Sequence, residues 1–364
     1  MTYPELLAAL GYPEQNAEAE QIYLDAQRTG ELFRKPDLTR LSTLFFELAD
    51  ELAAAAEEIE GSEVWLSYMN LLRLSLLALP DNKIPLLPPK EGERARNLAP
   101  ILALASLTEG AEREMTARGI GKEMQASVMR AYYRMVCAHR EQFGFLALRP
   151  LHFFWSRHYL RPDIYKLGSL EFEITRMPAG DGLFVSQKTG EQVALRHARL
   201  EAGAYCGTVP LRGGEEGEPR TLPEEEYTPV AFSGDEILSV HIPQGARVDP
   251  DTCRRSFAEA LAFFKDHYPE RQIRAFFCRS WLMDPELADV LPEGANILAF
   301  QRLFLRYPTP ANGREVFTFV HPQPFSSYEE LPENTTLMRG LKRRYLEGRP
   351  IYLYAGLIPL GDEE

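Results

Sequence analysis

Apolar residues recur at three- and four-residue steps through the first 160 or so positions and at two-residue steps in much of the rest of the chain. The first period is that of an amphipathic helix and the second that of a strand with two unlike faces. Leu41, Leu44, Phe45, Leu48 and Leu52 make one helical stripe, with Asp37 as its N-cap and Gly61 as its stop. Ser62 caps a second helix whose buried face is Val64, Trp65, Tyr68, Leu71, Leu72, Ser75 and Leu76, and Leu79-Pro80-Asp81-Asn82 breaks it. The prolines of IPLLPPKEGER predict an irregular crossover, after which Leu98 to Leu107 and Lys122 to Arg140 return to helix. In the last of these Met124, Val128, Ala131, Tyr132, Met135 and Val136 form a core stripe. Residues 1–160 therefore read as an all-helical N-terminal domain.

The period changes near Leu167, which starts a second domain over 161–364 and makes the fold class α+β. SLEFEITR sets Leu170, Phe172 and Ile174 against Glu171, Glu173 and Thr175 on its other face. Asp181-Gly182 turns it into GLFVSQ, and EQVALRHARL comes next, which predicts an antiparallel meander. From Gly203 to Thr228 glycine, proline and glutamate dominate, so that segment reads as a polar surface loop. Next comes a strand from Glu236 to Ile242, with Ile237, Ser239 and His241 on one side and Leu238, Val240 and Ile242 on the other. Asp249 caps the helix after it with Pro250 at the first helical position, and Phe257, Ala260, Leu261, Phe264 and Tyr268 pack it down. Gln272 to Cys278 is a second strand. A short helix near Asp284, another from Asn296, a strand in REVFTFVHP, a helix after Leu331 and a final strand in IYLYAGLIPL complete the reading.

Composition narrows the function classes. Forty Lys and Arg against fifty-three Asp and Glu give a net charge of −13, which argues against a phosphate-backbone binder and so against a nucleic-acid partner. No apolar run reaches the length of a membrane span, and MTYPELLAALGYPEQ lacks the basic start of a secretory signal, so a cytoplasmic protein is expected. Cys137, Cys206, Cys253 and Cys278 are widely spaced and predict reduced thiols with no metal site. His152 and His158, six apart on an aromatic helix, point to different faces and read as packing residues.

The motifs LGSLEFE at 167–173, GDEILSVHIPQG at 234–245, Phe263-Phe264, CRSWLMDPEL at 278–287 and NILAFQRLF at 296–304 carry a family resemblance. The chain resembles a two-domain acyltransferase-like family with a helical N-terminal domain and a GNAT-like C-terminal domain, a mixed β-sheet flanked by helices. The resemblance implies acyl-CoA, acetyl or longer, as co-substrate and direct transfer to a small-molecule or peptide amine. It implies that the strands Glu236 to Ile242 and Gln272 to Cys278 splay to admit the pantetheine arm, with Val240 and Ile242 among the cofactor-binding residues. It also implies that the loop from Pro243 to Asp251 takes the pyrophosphate, through Gln244, Gly245 and Arg247, with Arg254 and Arg255 just inside the helix. The family's glycine-rich phosphate loop is absent: Gly245 is the loop's single glycine, and Asp249, Asp251 and Pro250 weaken an anion site there.

Acyl transfer to an amine needs a base and an acid. His241 suits the base by its ordinary pKa, against a plain packing role. Glu173, with Glu171, is a base or amine-binding residue, against a solvated strand face. Tyr307 matches by position the family's thiolate-protonating tyrosine. Cys278 reads as a core thiol, the alternative being the nucleophile of a hydrolase. The other class of function open to the chain is a non-catalytic GNAT-like module that binds a ligand or a protein.

Overall fold

The computed structural model describes residues 2–10, 17–29, 43–77, 92–243, 245–321 and 323–360. Asp37, Leu41, Leu79 to Asn82, most of the proline-rich crossover and Gln244 lie outside these residues. The chain divides into two compact units, Met1–Tyr165 and Lys166–Glu364.

The first unit is helical: α1 Tyr3–Leu10, α2 Ala17–Thr29, α3 Ala49–Glu60, α4 Glu63–Leu77, α5 Glu93–Ala105, α6 Thr108–Ala117, α7 Lys122–Phe143 and α8 Pro150–Leu160. Helix α5 is central to it. Its run of small and branched residues, Ala95, Leu98, Ala99 and Ile101 to Ala105, is buried on nearly every side and packs against α3 and α4. Ser62 does cap α4, its Oγ accepting from the N–H of Trp65 at 3.4 Å. The helix α6 was not legible, because TEGAEREMTA buries only Thr108, Ala111 and Met115 and carries a glycine inside. No helix among the described residues is long and apolar enough to cross a membrane.

The second unit holds two sheets. Strands β1 Ile164–Leu167, β2 Leu170–Arg176, β8 Glu236–His241, β9 Ile273–Ser280, β10 Leu305–Pro308 and β11 Tyr354–Pro359 form a mixed sheet in the order β1-β2-β8-β9-β11-β10. Strands β2, β8, β9, β11 and β10 pair antiparallel with their neighbours except at the centre, where β8 and β9 run parallel. Strands β3 Gly182–Ser186, β4 Gln192–Glu201, β5 Ala204–Pro210, β6 Glu216–Pro223 and β7 Tyr227–Phe232 form the other, in the order β6-β5-β4-β3-β7. Helices α9 Pro250–His267, α10 Asn296–Gln301, α11 Phe317–Val320 and α12 Thr336–Leu346 complete the unit.

One face of the mixed sheet is aromatic and meets α9. Phe257 of that helix lies 4.8 Å from the ring of Phe276 and 6.0 Å from Phe172, spacings at which offset rings attract. The opposite face is covered at one end by the five-stranded sheet, where Ile237, Ala275, Phe277, Ala355 and Leu357 meet Met177, Leu183 and Ala231.

The structure corrects four expectations. The stretch from Gly203 to Thr228 is the β5–β6 hairpin and the start of β7, not a loop; β6 is an edge strand that buries Leu222 alone, so it shows no hydrophobic alternation. Strands β2 and β3 belong to different sheets, so the opening is not a simple meander. REVFTFVHP contains the helical turn α11 instead of a strand, and a strand, β10, lies where the sequence shows only proline punctuation. Short apolar runs fit a buried helix turn as well as a strand, which is why periodicity misassigns them. Leu261 faces outward on α9 while Phe257, Ala260, Phe264 and Tyr268 pack inward.

Candidate active site

The site begins where β8 and β9 part. Their parallel register runs from Glu236↔Ile273 to Ser239↔Phe277 and ends there, although β8 continues to His241 and β9 to Ser280. Each strand stays held by its outer neighbour. Val240 and His241 remain paired with Phe172 and Glu171 of β2, and Cys278, Arg279 and Ser280 with Gly356, Ala355 and Tyr354 of β11. Beyond Ser239 the facing backbone edges of β8 and β9 are no longer bonded to each other. Such a wedge in a sheet offers main-chain donors and acceptors to an extended guest.

On one face of the wedge the two-residue period lines up Glu171, Glu173, Ser239 and His241. Glu171 stands opposite His241 and Glu173 opposite Ser239. The bond is diagonal, with Nε2 of His241 2.8 Å from Oε2 of Glu173. Glu171 and Glu173 are buried and do not form a solvated strand face; the imidazole is 27% exposed. An Nε2–H donating to a buried carboxylate fixes the ring's orientation.

Tyr307 does not join this group. It lies on β10, with β11 and β9 between it and β8, which places it about 14 Å from β8 at ordinary strand spacing. Its ring fills the apolar layer between the sheets, and its hydroxyl is buried with no hydrogen-bond partner among the described residues. Burial, and then the Asp181 carboxylate, push its pKa above the usual phenol range. Cys278 lies at the parting but is 1% exposed, and burial pushes its thiol up to about 12. A thiol so placed is not a nucleophile at neutral pH.

The loop from β8 into α9 is held internally. Gly245 has φ 77°, a left-handed conformation for which glycine is needed although no described residue crowds a side chain there. Ala246 N–H donates to the Pro243 carbonyl at 3.0 Å, and Arg247 N–H to Ser169 Oγ at 2.7 Å. Ser169 Oγ donates in turn to the Arg247 carbonyl at 2.8 Å, and Ser169 N–H donates to Ser256 Oγ on α9 at 2.9 Å. Asp249 is the N-cap, as its sequence position predicts, and Oδ1 accepts from Thr252 N–H at 3.0 Å. That bond first, with help from the Thr252 hydroxyl, holds its carboxyl below the usual range. Arg247, Arg254 and Arg255 are exposed and engaged nearby: Arg247 with Asp249 at 3.4 Å, Arg254 with Asp251 at 2.9 Å, Arg255 with the Thr252 hydroxyl at 3.0 Å. The side chain of Val240 is buried and alternates with His241, so it faces the α9 side.

Sequence reasoning missed a second fixture, behind β9. The Asp284 carboxylate is fully buried and accepts from both terminal nitrogens of Arg212, at 2.6 and 2.8 Å, from Glu286 N–H at 3.0 Å and from Tyr352 N–H at 2.8 Å. Arg212 reaches it from the turn between β5 and β6 and lies 4.9 Å over the ring of Tyr352. The clamp fixes the chain just beyond β9. A cap at Asp284 is legible in the sequence; its arginine sits in the segment that composition assigns to a loop.

A helix-flanked mixed sheet whose central parallel pair parts beside a helix N-terminus defines a GNAT-type acyltransferase fold. The chain belongs to that family: the model for the GNAT-like C-terminal domain matches residues 164–358. Three solved acyltransferase structures superpose on 99% of this chain and 100% of their own. One is in complex with decanoyl-CoA and teicoplanin (20% identity, TM-score 0.67), one with CoA and 10C-teicoplanin (20%, 0.67) and one with decanoyl-CoA (21%, 0.64). At these identities the likeness is one of fold. Among curated proteins no sequence matches.

Proposed function

We propose that the chain is an acyl-CoA-dependent N-acyltransferase that passes the acyl group directly to an amine. The observation that carries this reading is the parting of β8 and β9 with the His241–Glu173 pair beside it. The pantetheine arm of the donor would lie in the wedge, bonded by backbone groups. Glu173 orients His241, whose Nδ1 takes the proton of the attacking amine. As the tetrahedral adduct collapses, the C–S bond breaks, the C–N bond stays, and the imidazolium returns the proton to the departing thiolate. Glu171 beside the imidazole adds negative charge that favours an ammonium ion on arrival. A small-molecule or peptide acceptor is supported by the teicoplanin held in a solved structure of like fold. All four cysteines are free, which supports a reducing, cytoplasmic setting.

Calorimetric titration with acetyl-CoA and decanoyl-CoA tests the donor. Saturable binding to either is expected, and none at millimolar concentration sinks the proposal. A second reading, a ligand-binding module without catalysis, is favoured by one observation: Asp249 and Pro250 occupy the helix end where a phosphate would rest. It predicts no amine-dependent thiol release from any acyl-CoA.

A further inference from the structure

The bonding around the loop before α9 bears on which part of the donor is recognised, and rests on the acyl-transfer reading above. A diphosphate held at a helix N-terminus needs several backbone N–H groups aimed at it. In this loop Ala246, Arg247, Thr252 and Cys253 N–H already donate to protein oxygens, at 3.0, 2.7, 3.0 and 3.0 Å. Pro250 has no N–H. The position an anion's oxygen would take at the helix end is filled by Asp249 Oδ1, itself anionic at neutral pH. Arg247 and Arg254 each have an aspartate at hand, and Arg255 is bonded to the Thr252 hydroxyl, so all three are engaged within the loop, though exposed. Nor can the loop readily reshape, because Ser169 bonds both the N–H and the carbonyl of Arg247 and is itself tied to Ser256. Gly168, at φ 62°, lets that turn approach α9: a Cβ there would lie 2.4 Å from Ser256 Oγ. Along the wedge, by contrast, the backbone edges of β8 and β9 beyond Ser239 and Phe277 are not paired with each other.

We infer that the donor is recognised through its acyl-pantetheine arm and that the adenosine and its phosphates contribute little, so that thioesters of pantetheine lacking the nucleotide serve as donors. The chemistry is unchanged by that loss. The bond broken is the thioester C–S bond, the bond made is C–N, and the amine's proton leaves on the thiol, whichever pantetheine compound carries it.

The test compares decanoyl-CoA, S-decanoyl-pantetheine and adenosine 3′,5′-bisphosphate on the full chain by calorimetry. The two thioesters are expected to bind within about tenfold of each other, and the bisphosphate not at all at millimolar concentration. If decanoyl-CoA binds and S-decanoyl-pantetheine is weaker by a hundredfold or more, this inference is overturned while the acyl-transfer reading stands; if neither binds, both fall. The double variant Asp249→Gly, Pro250→Ala opens the helix end. It is expected to tighten decanoyl-CoA by tenfold or more while leaving S-decanoyl-pantetheine unchanged, and an equal effect on both would count against the inference.

Discussion

Two buried carboxylates in the second unit lie on opposite sides of the parting strands and do different things. Asp284 is saturated: two guanidinium nitrogens and two backbone N–H groups meet its two oxygens, all from the protein. Glu173 meets an imidazole that keeps a quarter of its surface in solvent. A carboxylate closed off by fixed donors is part of the framework, whereas the one bonded to a partly exposed imidazole is the one to which the proposed chemistry gives a role.

The comparison breaks most visibly at Asp284. Asp284→Ala takes two bonds from a half-buried guanidinium, which keeps the Pro350 carbonyl and Glu286, and frees two N–H groups, so a loss of about 3–5 kcal/mol is expected in urea denaturation. A loss under 1 kcal/mol would show the clamp to be ornamental. His241→Ala should lower kcat/KM by about a hundredfold or more, and because it takes a partner from the buried Glu173 carboxylate it should lower the urea midpoint as well. Glu173→Gln is expected to cost about tenfold in kcat/KM, since the ring keeps a hydrogen-bond partner but loses the carboxylate that stabilises its protonated form; an unchanged kcat/KM would remove Glu173 from the mechanism. Tyr307→Phe deletes a buried hydroxyl without a partner among the described residues, so a gain of up to about 1 kcal/mol is expected with turnover intact. A hundredfold loss of turnover would instead return the acid's role to it.

The smallest effect concerns pH. Asp249 is bonded by Thr252 N–H and holds its proton less readily folded than unfolded. Its contribution to stability is therefore present above the unfolded value, about pH 4, and is lost as pH falls through the lower folded one. Asn keeps the cap but does not titrate, so Asp249→Asn should flatten the acid side of the urea midpoint profile below about pH 4. Parallel profiles for the two proteins would contradict this.

The helical unit, the change of period near Leu167, the β8–loop–α9–β9 unit and the Asp249 cap were all legible, because each has a local signature: a period, a cap, a proline. The β5–β6 hairpin was not, since a solvated edge strand has no face to pattern. The parting of β8 and β9 was implied by resemblance and not by any residue of EILSVH or RAFFCRS, because it depends on which outer neighbour holds each strand. Burial of Glu171 and Glu173 is likewise a property of what covers them. The His241–Glu173 bond is a diagonal between strands 68 positions apart, which alternation allows but does not select.

The latch at Ser169 also bears on the speed of recognition. The turn at Gly168-Ser169, bonded to Arg247 and anchored to α9 beside the wedge, is already ordered before a ligand arrives. Complex formation should then be free of a slow ordering phase, with a single exponential whose rate rises linearly with ligand concentration.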